Sequence, residues 1–297
     1  MTIETAPIAG YTDQAFRRVL IKCGARVVYT EMVSATAMFY GSKKTLELLA
    51  FDKVEGVKTI VQLFGSNPDH FVFAIKSGHL DDFDEININM GCPAPKIIKN
   101  GDGSALKKKP ELVRKIVEAC VGVTDKPITV KMRLGFEMDN FIADKIAKIC
   151  EEAGASKVIV HGRYTEQGYS GKADWEFIKK VVDAVSIPVI ANGDVVDEES
   201  AKKCLEVTGA KGLMMARGLI GHPWRVDLES DKRQVTSDKF RKETIRFHID
   251  TAKELGTSFL EMKKHLIAYC DNFEDSKDLK RKVALAKSWD DLPTVFI

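Results

Sequence analysis

The chain has 297 residues, 44% of them hydrophobic and 30% charged, with a formal net charge of +2. That balance belongs to a globular protein with a sizeable core. No apolar run approaches a bilayer-spanning length, so a membrane protein of the helical kind is not expected. The opening MTIETAPIAG has no basic stretch leading into an apolar one, so no signal peptide is read there and the cytoplasm is the expected compartment. A near-neutral total neither favours nor excludes nucleic acid, because charge can still concentrate on one face. The six cysteines include no C-x-x-C pair, so neither a zinc site nor a disulfide framework is expected, and no metal.

Taken in chain order, short apolar runs alternate with amphipathic stretches. Strands are expected to end near Ala9 (IETAPIA), Met32 (VVYTEM), Phe64 (KTIVQLF), Asn89 (EININ), Arg133 (ITVKMR), His161 (KVIVH), Asn192 (IPVIAN) and Ala216 (GLMMA). Helical periodicity runs between them over 13–22, 69–77, 111–121, 140–152, 175–185 and 198–207. Asn67-Pro68-Asp69 and Lys109-Pro110-Glu111 open helices, and Gly154 and Gly209 close them. Continuous apolar strands, each followed by a helix, mean a parallel sheet covered by helices. Eight such units by about residue 225 predict an α/β fold, a (β/α)8 TIM barrel, with an open doubly wound sheet as the alternative. Beyond that point the text is helical and densely charged, so a catalytic barrel over 1–229 and a small all-helical domain over 230–297 are expected.

In such a barrel the chemistry sits at the C-terminal ends of the strands. Several strands deliver a polar group there: Gln62, Asn89, Lys131 and Arg133, His161 and Arg163, Asn192 to Asp194, and Arg217. Asn192-Gly193-Asp194 and Ala216-Arg217-Gly218 follow strands seven and eight, where barrels often bind phosphate. Their glycines admit backbone N–H groups to an anion and the arginine can pair with it. A phosphate-bearing ligand is implied. The lone G-x-G at Gly101-Asp102-Gly103 follows no strand directly and carries no dinucleotide reading. Lys131 and Gln62 should face the mouth, where a flavin would use such groups. Cys92 stands in a Gly-Cys-Pro turn just past a strand, the setting of a thiol carried into a mouth by a loop, although a packed loop cysteine shares the same placement.

The ordered strings APIAGYTDQAFR, VQLFGSNP, INMGCPAPKIIKNGDGSAL, VKMRLG, VHGRYTEQGYSGKADW, IPVIANGDV and MMARGLIGHPW resemble the tRNA-dihydrouridine synthase family, the bacterial B-type branch in particular. The resemblance spans about Thr5 to Arg225 and continues weakly as MKKHLIAY. It implies FMN as cofactor, NADPH as electron donor and tRNA as substrate and partner, with no obligate protein partner and no membrane. Pro7, Ile8 and Ala9 would line the flavin ring; Gln62 and Lys131 would contact it, with His161 nearby; Asn192, Gly193, Asp194, Ala216 and Arg217 would hold the ribityl phosphate. Asn89 would help hold the uracil, with Arg133 and Arg163 also assigned to substrate. Hydride would pass from the flavin to carbon 6 of uracil, and Cys92 would protonate carbon 5. Tyr164, Ala216 and His222 depart from the residues usual in the family, and none of these changes removes a catalytic group. The runner-up is an FMN barrel reducing a free pyrimidine, like dihydroorotate dehydrogenase, which leaves the helical tail without a purpose. In that tail Lys263-Lys264 and Lys280-Arg281-Lys282 are read as phosphate contacts for RNA.

Overall fold

The β-branched and aliphatic runs become eight strands because each is flanked on both faces by apolar surface that must be covered. The computed structural model describes residues 3–228 and 237–296. Its strands are β1 (Ile3–Thr5), β2 (Val27–Ser34), β3 (Lys58–Phe64), β4 (Glu85–Met90), β5 (Ile128–Arg133), β6 (Lys157–His161), β7 (Val189–Asn192) and β8 (Gly212–Met215). They pair in parallel in sequence order from β2 to β8, and β1 returns to pair with β8. The sheet is thereby rolled into a nearly closed barrel, with β1 lying beside β2 at the seam. This is the expected (β/α)8 TIM barrel with a helical C-terminal region.

The helices are α1 (Gln14–Lys22), α2 (Ala35–Phe39), α3 (Lys43–Glu47), α4 (Pro68–Lys76), α5 (Pro95–Lys99), α6 (Pro110–Val121), α7 (Ala143–Glu152), α8 (Trp175–Ala184) and α9 (Glu198–Thr208). Local chemistry sets their ends. The Asp13 and Asp174 side chains accept from the third backbone N–H of α1 and α8, and Asp197 with Ser200 forms a capping box on α9. Gly209, at φ 63°, terminates α9 in the left-handed conformation that glycine adopts without cost. The five-residue helices α2, α3 and α5 escape the sequence reading because they are too short to display a 3.6-residue period. β1 also stops at Thr5, short of the expected Ala9. Pro7 has no N–H to donate, and the chain turns at once, with Tyr11 N–H donating to Ile8 O.

Packing divides into two apolar regions. Ala6, Tyr29, Ile60, Ile159, Ile190 and Met214 fill the barrel interior, while a larger core lies between the strands and the surrounding helices. That larger core runs without a break into the tail, α10 (Asp238–Glu254), α11 (Phe259–Tyr269) and α12 (Ser276–Leu285). Helix α10 packs on α1 and so covers the barrel wall. His248 and His265 are buried there, their rings 5.5 Å and 4.7 Å from Phe16, and burial pushes both imidazoles toward the neutral form. The barrel–tail boundary expected at 229/230 lies outside the described residues.

Candidate active site

A cavity of about 1220 Å³ opens at the C-terminal ends of the strands. Pro7, Ile8 and Ala9 line it from the turn after β1, Gln62 from β3, Asn89 from β4, Lys131 and Arg133 from β5, His161 from β6, Asn192 from β7, and Ala216 and Arg217 from the turn after β8. Gly193, Asp194 and Cys92 complete the residues selected from the sequence that reach it. Arg163 is the exception.

Arg163 follows β6 but is only 2% exposed and turns under the rim. Its Nη2 donates to both carboxylate oxygens of Asp194, at 2.8 and 2.9 Å, and to Gly171 O at 2.7 Å, while Nε donates to Ser170 O at 3.2 Å. Engaged in this way, the guanidinium is turned to the loops and does not line the cavity. The sequence assigned it to substrate because a strand-end arginine gives no sign of which way it points; the structure makes it a strut for two loops. Asp194 is correspondingly an anchored residue: it holds a left-handed backbone at φ 57° and also accepts from Ala173 N–H at 2.6 Å.

The loops after β7 and β8 come together as expected of a phosphate cradle. Gly193 sits at φ 115°, and a Cβ there would lie 2.8 Å from His161 Cδ2, so only glycine permits the loop to fold against the histidine. Gly218 is equally confined, since a Cβ would come within 3.0 Å of Val196 Cα. Trp175 Nε1 donates to Gly193 O at 3.0 Å and fixes the loop from outside. The Arg217 side chain is half exposed and reaches Asp194 at only 3.7 Å, which leaves its guanidinium available to an anion.

Beside this cradle, Lys131 Nζ donates to Asn192 Oδ1 at 2.9 Å, and Asn192 Nδ2 donates to Met214 O at 2.8 Å. Burial, aided by the neighbouring Arg133 charge, pushes the Lys131 amine down to about 7. Burial likewise drives His161 well below its ordinary value, with the cations around it acting in the same direction, so the ring is neutral. Arg133 is held by carbonyls, donating to Gly91 O, Tyr164 O and Gly168 O at 3.0, 2.9 and 2.7 Å.

Cys92 stands over this floor on a built support. Asn89 Oδ1 accepts from the backbone N–H of Gly91 at 3.1 Å and of Cys92 at 2.9 Å. Beneath, Ser104 N–H donates to Cys92 O at 3.1 Å. Gly103, at φ 58°, lets that 3-10 turn approach, because a Cβ would sit 3.1 Å from Cys92 Cβ and 2.9 Å from Ile97 Cγ2. Burial pushes the Cys92 thiol up, against the opposing pull of the Ala94 N–H, Arg133 and Lys131, so it keeps its proton at neutral pH. The other five cysteines are buried.

Several lining residues were not found in the sequence. Tyr169 reaches the cavity from the loop after β6, with the Arg133 and Arg217 guanidinium carbons 5.4 and 5.0 Å from its ring centroid. Its place between Gly168 and Gly171 was the available signal. Met32, Phe136 and Arg225 also line the cavity and carried none. In the tail, the expected phosphate contacts are mostly engaged elsewhere. Lys263 donates to Ala284 O and Ala286 O at the end of α12, Lys280 pairs with Asp271, and Arg281 and Lys282 pair with Asp278. Lys264 instead reaches the mouth, 5.0 Å from the centroid of the Tyr11 ring and beside Gly10.

The family described as Dihydrouridine synthase (Dus) matches residues 4–292. The chain belongs to that family. Among curated relatives, a probable tRNA-dihydrouridine synthase of Rickettsia conorii is 36% identical over 293 residues, covering 95% of this chain and 88% of the relative. The tRNA-dihydrouridine synthase B of Vibrio parahaemolyticus is 39% identical over 288 residues, covering 93% and 88%. Among solved structures, histamine dehydrogenase from Rhizobium sp. 4-9 aligns with a TM-score of 0.55 at 13% identity, over 84% of this chain and 48% of that one. A variant of NCR from Zymomonas mobilis aligns with a TM-score of 0.52 at 13% identity, over 75% of this chain and 83% of that one. At such identities the likeness is one of fold. For this dihydrouridine synthase the family match extends through the barrel and into α10–α12, so the tail belongs to what the family shares.

Proposed function

We propose that this dihydrouridine synthase reduces the 5,6 double bond of uridines in tRNA, using FMN as bound cofactor, NADPH as electron donor and Cys92 as proton donor. The carrying observation is that Cys92 lines the same cavity as the Gly193–Asp194 and Arg217 cradle. The residues fit a flavin mononucleotide. Arg217 has guanidinium capacity free for a phosphate, Lys131 lines the same cavity beside Asn192, and about 1220 Å³ accommodates a cofactor together with a flipped base. The bound flavin would supply hydride to carbon 6 of the uracil.

The chain's own groups perform the rest. Addition at carbon 6 places enolate-like charge on the ring; the Cys92 Sγ–H bond breaks as its proton goes to carbon 5, leaving a thiolate that solvent reprotonates. Arg133 and Lys131 favour that thiolate electrostatically. Asn89 keeps the thiol's loop in register, and the neutral His161 adds an uncharged wall to the flavin side. Lys264 and the rim of α11 extend the surface on which a folded RNA would rest.

Purified protein mixed with NADPH and unmodified tRNA tests the reading. The flavin absorbance bleaches on NADPH and recovers on RNA, with dihydrouridine formed in the RNA. A flavin reoxidised by orotate or another free pyrimidine and not by RNA would replace this function with the runner-up.

A further inference from the structure

A single file of hydrogen bonds runs down the barrel axis from the Cys92 loop to the floor. Cys92 N–H donates to Asn89 Oδ1 at 2.9 Å, Asn89 Nδ2 to Gln62 Oε1 at 2.8 Å, and Gln62 Nε2 to Asn87 Oδ1 at 2.7 Å. Asn87 Nδ2 then donates to Thr129 Oγ1 at 2.9 Å, and Thr129 Oγ1 donates to Glu85 Oε1 at 2.7 Å. At the floor Lys157 Nζ bridges Glu85 at 2.9 Å and Glu4 at 2.8 Å, and Tyr29 Oη donates to Glu4 at 2.5 Å. Asn87, Thr129 and Glu85 are buried and do not line the cavity.

An isolated carboxamide can exchange its oxygen and nitrogen by a half-turn, so its orientation must come from its neighbours. Here both ends of the file are unambiguous. The backbone N–H at the top can only donate, and a carboxylate paired with Lys157 can only accept. Thr129 must therefore give its one hydrogen to Glu85 and accept from Asn87. Asn87 must turn its oxygen toward Gln62, and Gln62 its oxygen toward Asn89. Reversing any one amide would set two donors or two acceptors against each other inside a low-dielectric barrel, which is costly at every link.

We propose that the Glu85–Lys157–Glu4 cluster and Thr129 are positioning residues for the mouth, which they reach only through Asn87. They fix the orientation of the Gln62 and Asn89 amides, and thereby both seat the Cys92 loop and select what the amides offer the cavity. With Asn89 Oδ1 filled by the Gly91 and Cys92 N–H groups, each of the two cavity-lining amides keeps one further N–H, that of Asn89 directed toward Met32 Sδ at 3.9 Å. This edge takes ligand acceptors such as ring carbonyls. That last step rests on the function proposed above, since it presumes a carbonyl-bearing heterocycle; the seating of the Cys92 loop does not.

Hydrogen exchange of the purified protein tests the file. Thr129→Val keeps the shape and removes the hydroxyl, freeing Asn87, Gln62 and Asn89 to reorient. Exchange of the Gly91 and Cys92 amides should rise about tenfold, the scale of one net hydrogen bond, with the rest of the barrel unchanged. Thr129→Ser retains the hydroxyl and should match the parent. Thr129→Ala gives the same test should valine not be accommodated. Unchanged exchange at Gly91 and Cys92, an equal rise in the serine variant, or a rise spread through the whole barrel would each overturn the proposal. Dihydrouridine formation, measured in parallel, should fall in the valine variant and recover in the serine one. A protein inactive on tRNA but showing the local exchange pattern would retain the positioning file and refute the function instead.

Discussion

Replacing Arg163 by methionine separates its two roles most sharply, because a strut and a substrate ligand fail in different ways. The side chain is 2% exposed and makes two charge-assisted bonds to Asp194, with two more to the carbonyls of Gly171 and Ser170. Breaking a buried ion pair from one side costs about 3–5 kcal/mol when the abandoned charge is fully buried. Asp194 is 32% exposed, so water recovers part of that, and a loss of roughly 2–3 kcal/mol is the working figure. For a chain of this size that corresponds to a fall in Tm of about 4–10 °C. Because Asp194 and Gly193 carry the expected phosphate cradle, flavin retention should weaken with it. The assay is a thermal melt with and without added FMN, beside steady-state kinetics on tRNA with the flavin saturating. The expected pattern is a lowered Tm, partly restored by FMN, and a KM for tRNA close to that of the parent. An unchanged Tm with KM raised tenfold or more would place Arg163 against the RNA and refute the strut.

Cys92→Ala should retain flavin and oxidise NADPH, yet form dihydrouridine about two to four orders of magnitude more slowly; parental rates on tRNA would make the thiol structural. Because burial raises the Cys92 thiol from its ordinary value of 9.0, the proton donor is lost only above that pH, and the alkaline limb of the parent's rate on tRNA should lie beyond it and vanish in the variant. Lys131, near 7, is about half protonated at neutral pH, and an anionic ligand beside it favours the ammonium. FMN binding at pH 7–8 should therefore take up a fraction of a proton, seen as a dependence of calorimetric enthalpy on the buffer's ionisation enthalpy that Lys131→Met abolishes; no such dependence in the parent would remove Lys131 from the flavin's surroundings. The depressed amine also destabilises the fold in full below about 7; the penalty shrinks as pH rises above that value, where the folded state binds fewer protons than the unfolded one, and is gone only above the ordinary lysine value of 10.5. In the tail, Lys264→Ala should weaken tRNA binding and flatten its log–log salt dependence by about one unit. Lys263→Ala should leave that slope alone and lower the Tm, since its ammonium caps α12. The opposite assignment in a salt titration would reverse the two roles.

Much of the architecture was present in the residues themselves. A barrel strand buried on both faces is largely apolar, and its covering helix must be amphipathic, so the eightfold alternation is written locally and was legible. The strand ends at Arg133, His161 and Asn192 coincide with those observed. Glycines at Gly193 and Gly103 mark backbones that no other residue can follow. What a linear pattern cannot contain is the direction of a side chain once the sheet closes. Arg133 ends β5 and Arg163 lies two residues past the end of β6; carbonyls from the Gly91, Tyr164 and Gly168 segments leave the first at the cavity wall, while Asp194 draws the second beneath it. Lys263 and Lys264 are adjacent in sequence and face different neighbours, because successive helical positions lie about 100° apart and only the packing of α11 decides which of them meets α12 and which meets Tyr11. The polar file from Glu85 to Cys92 is the extreme case. Its members come from the third, fourth and fifth strands, and its orientation exists only where the register of those paired strands brings a carboxylate, a hydroxyl and three amides into one line.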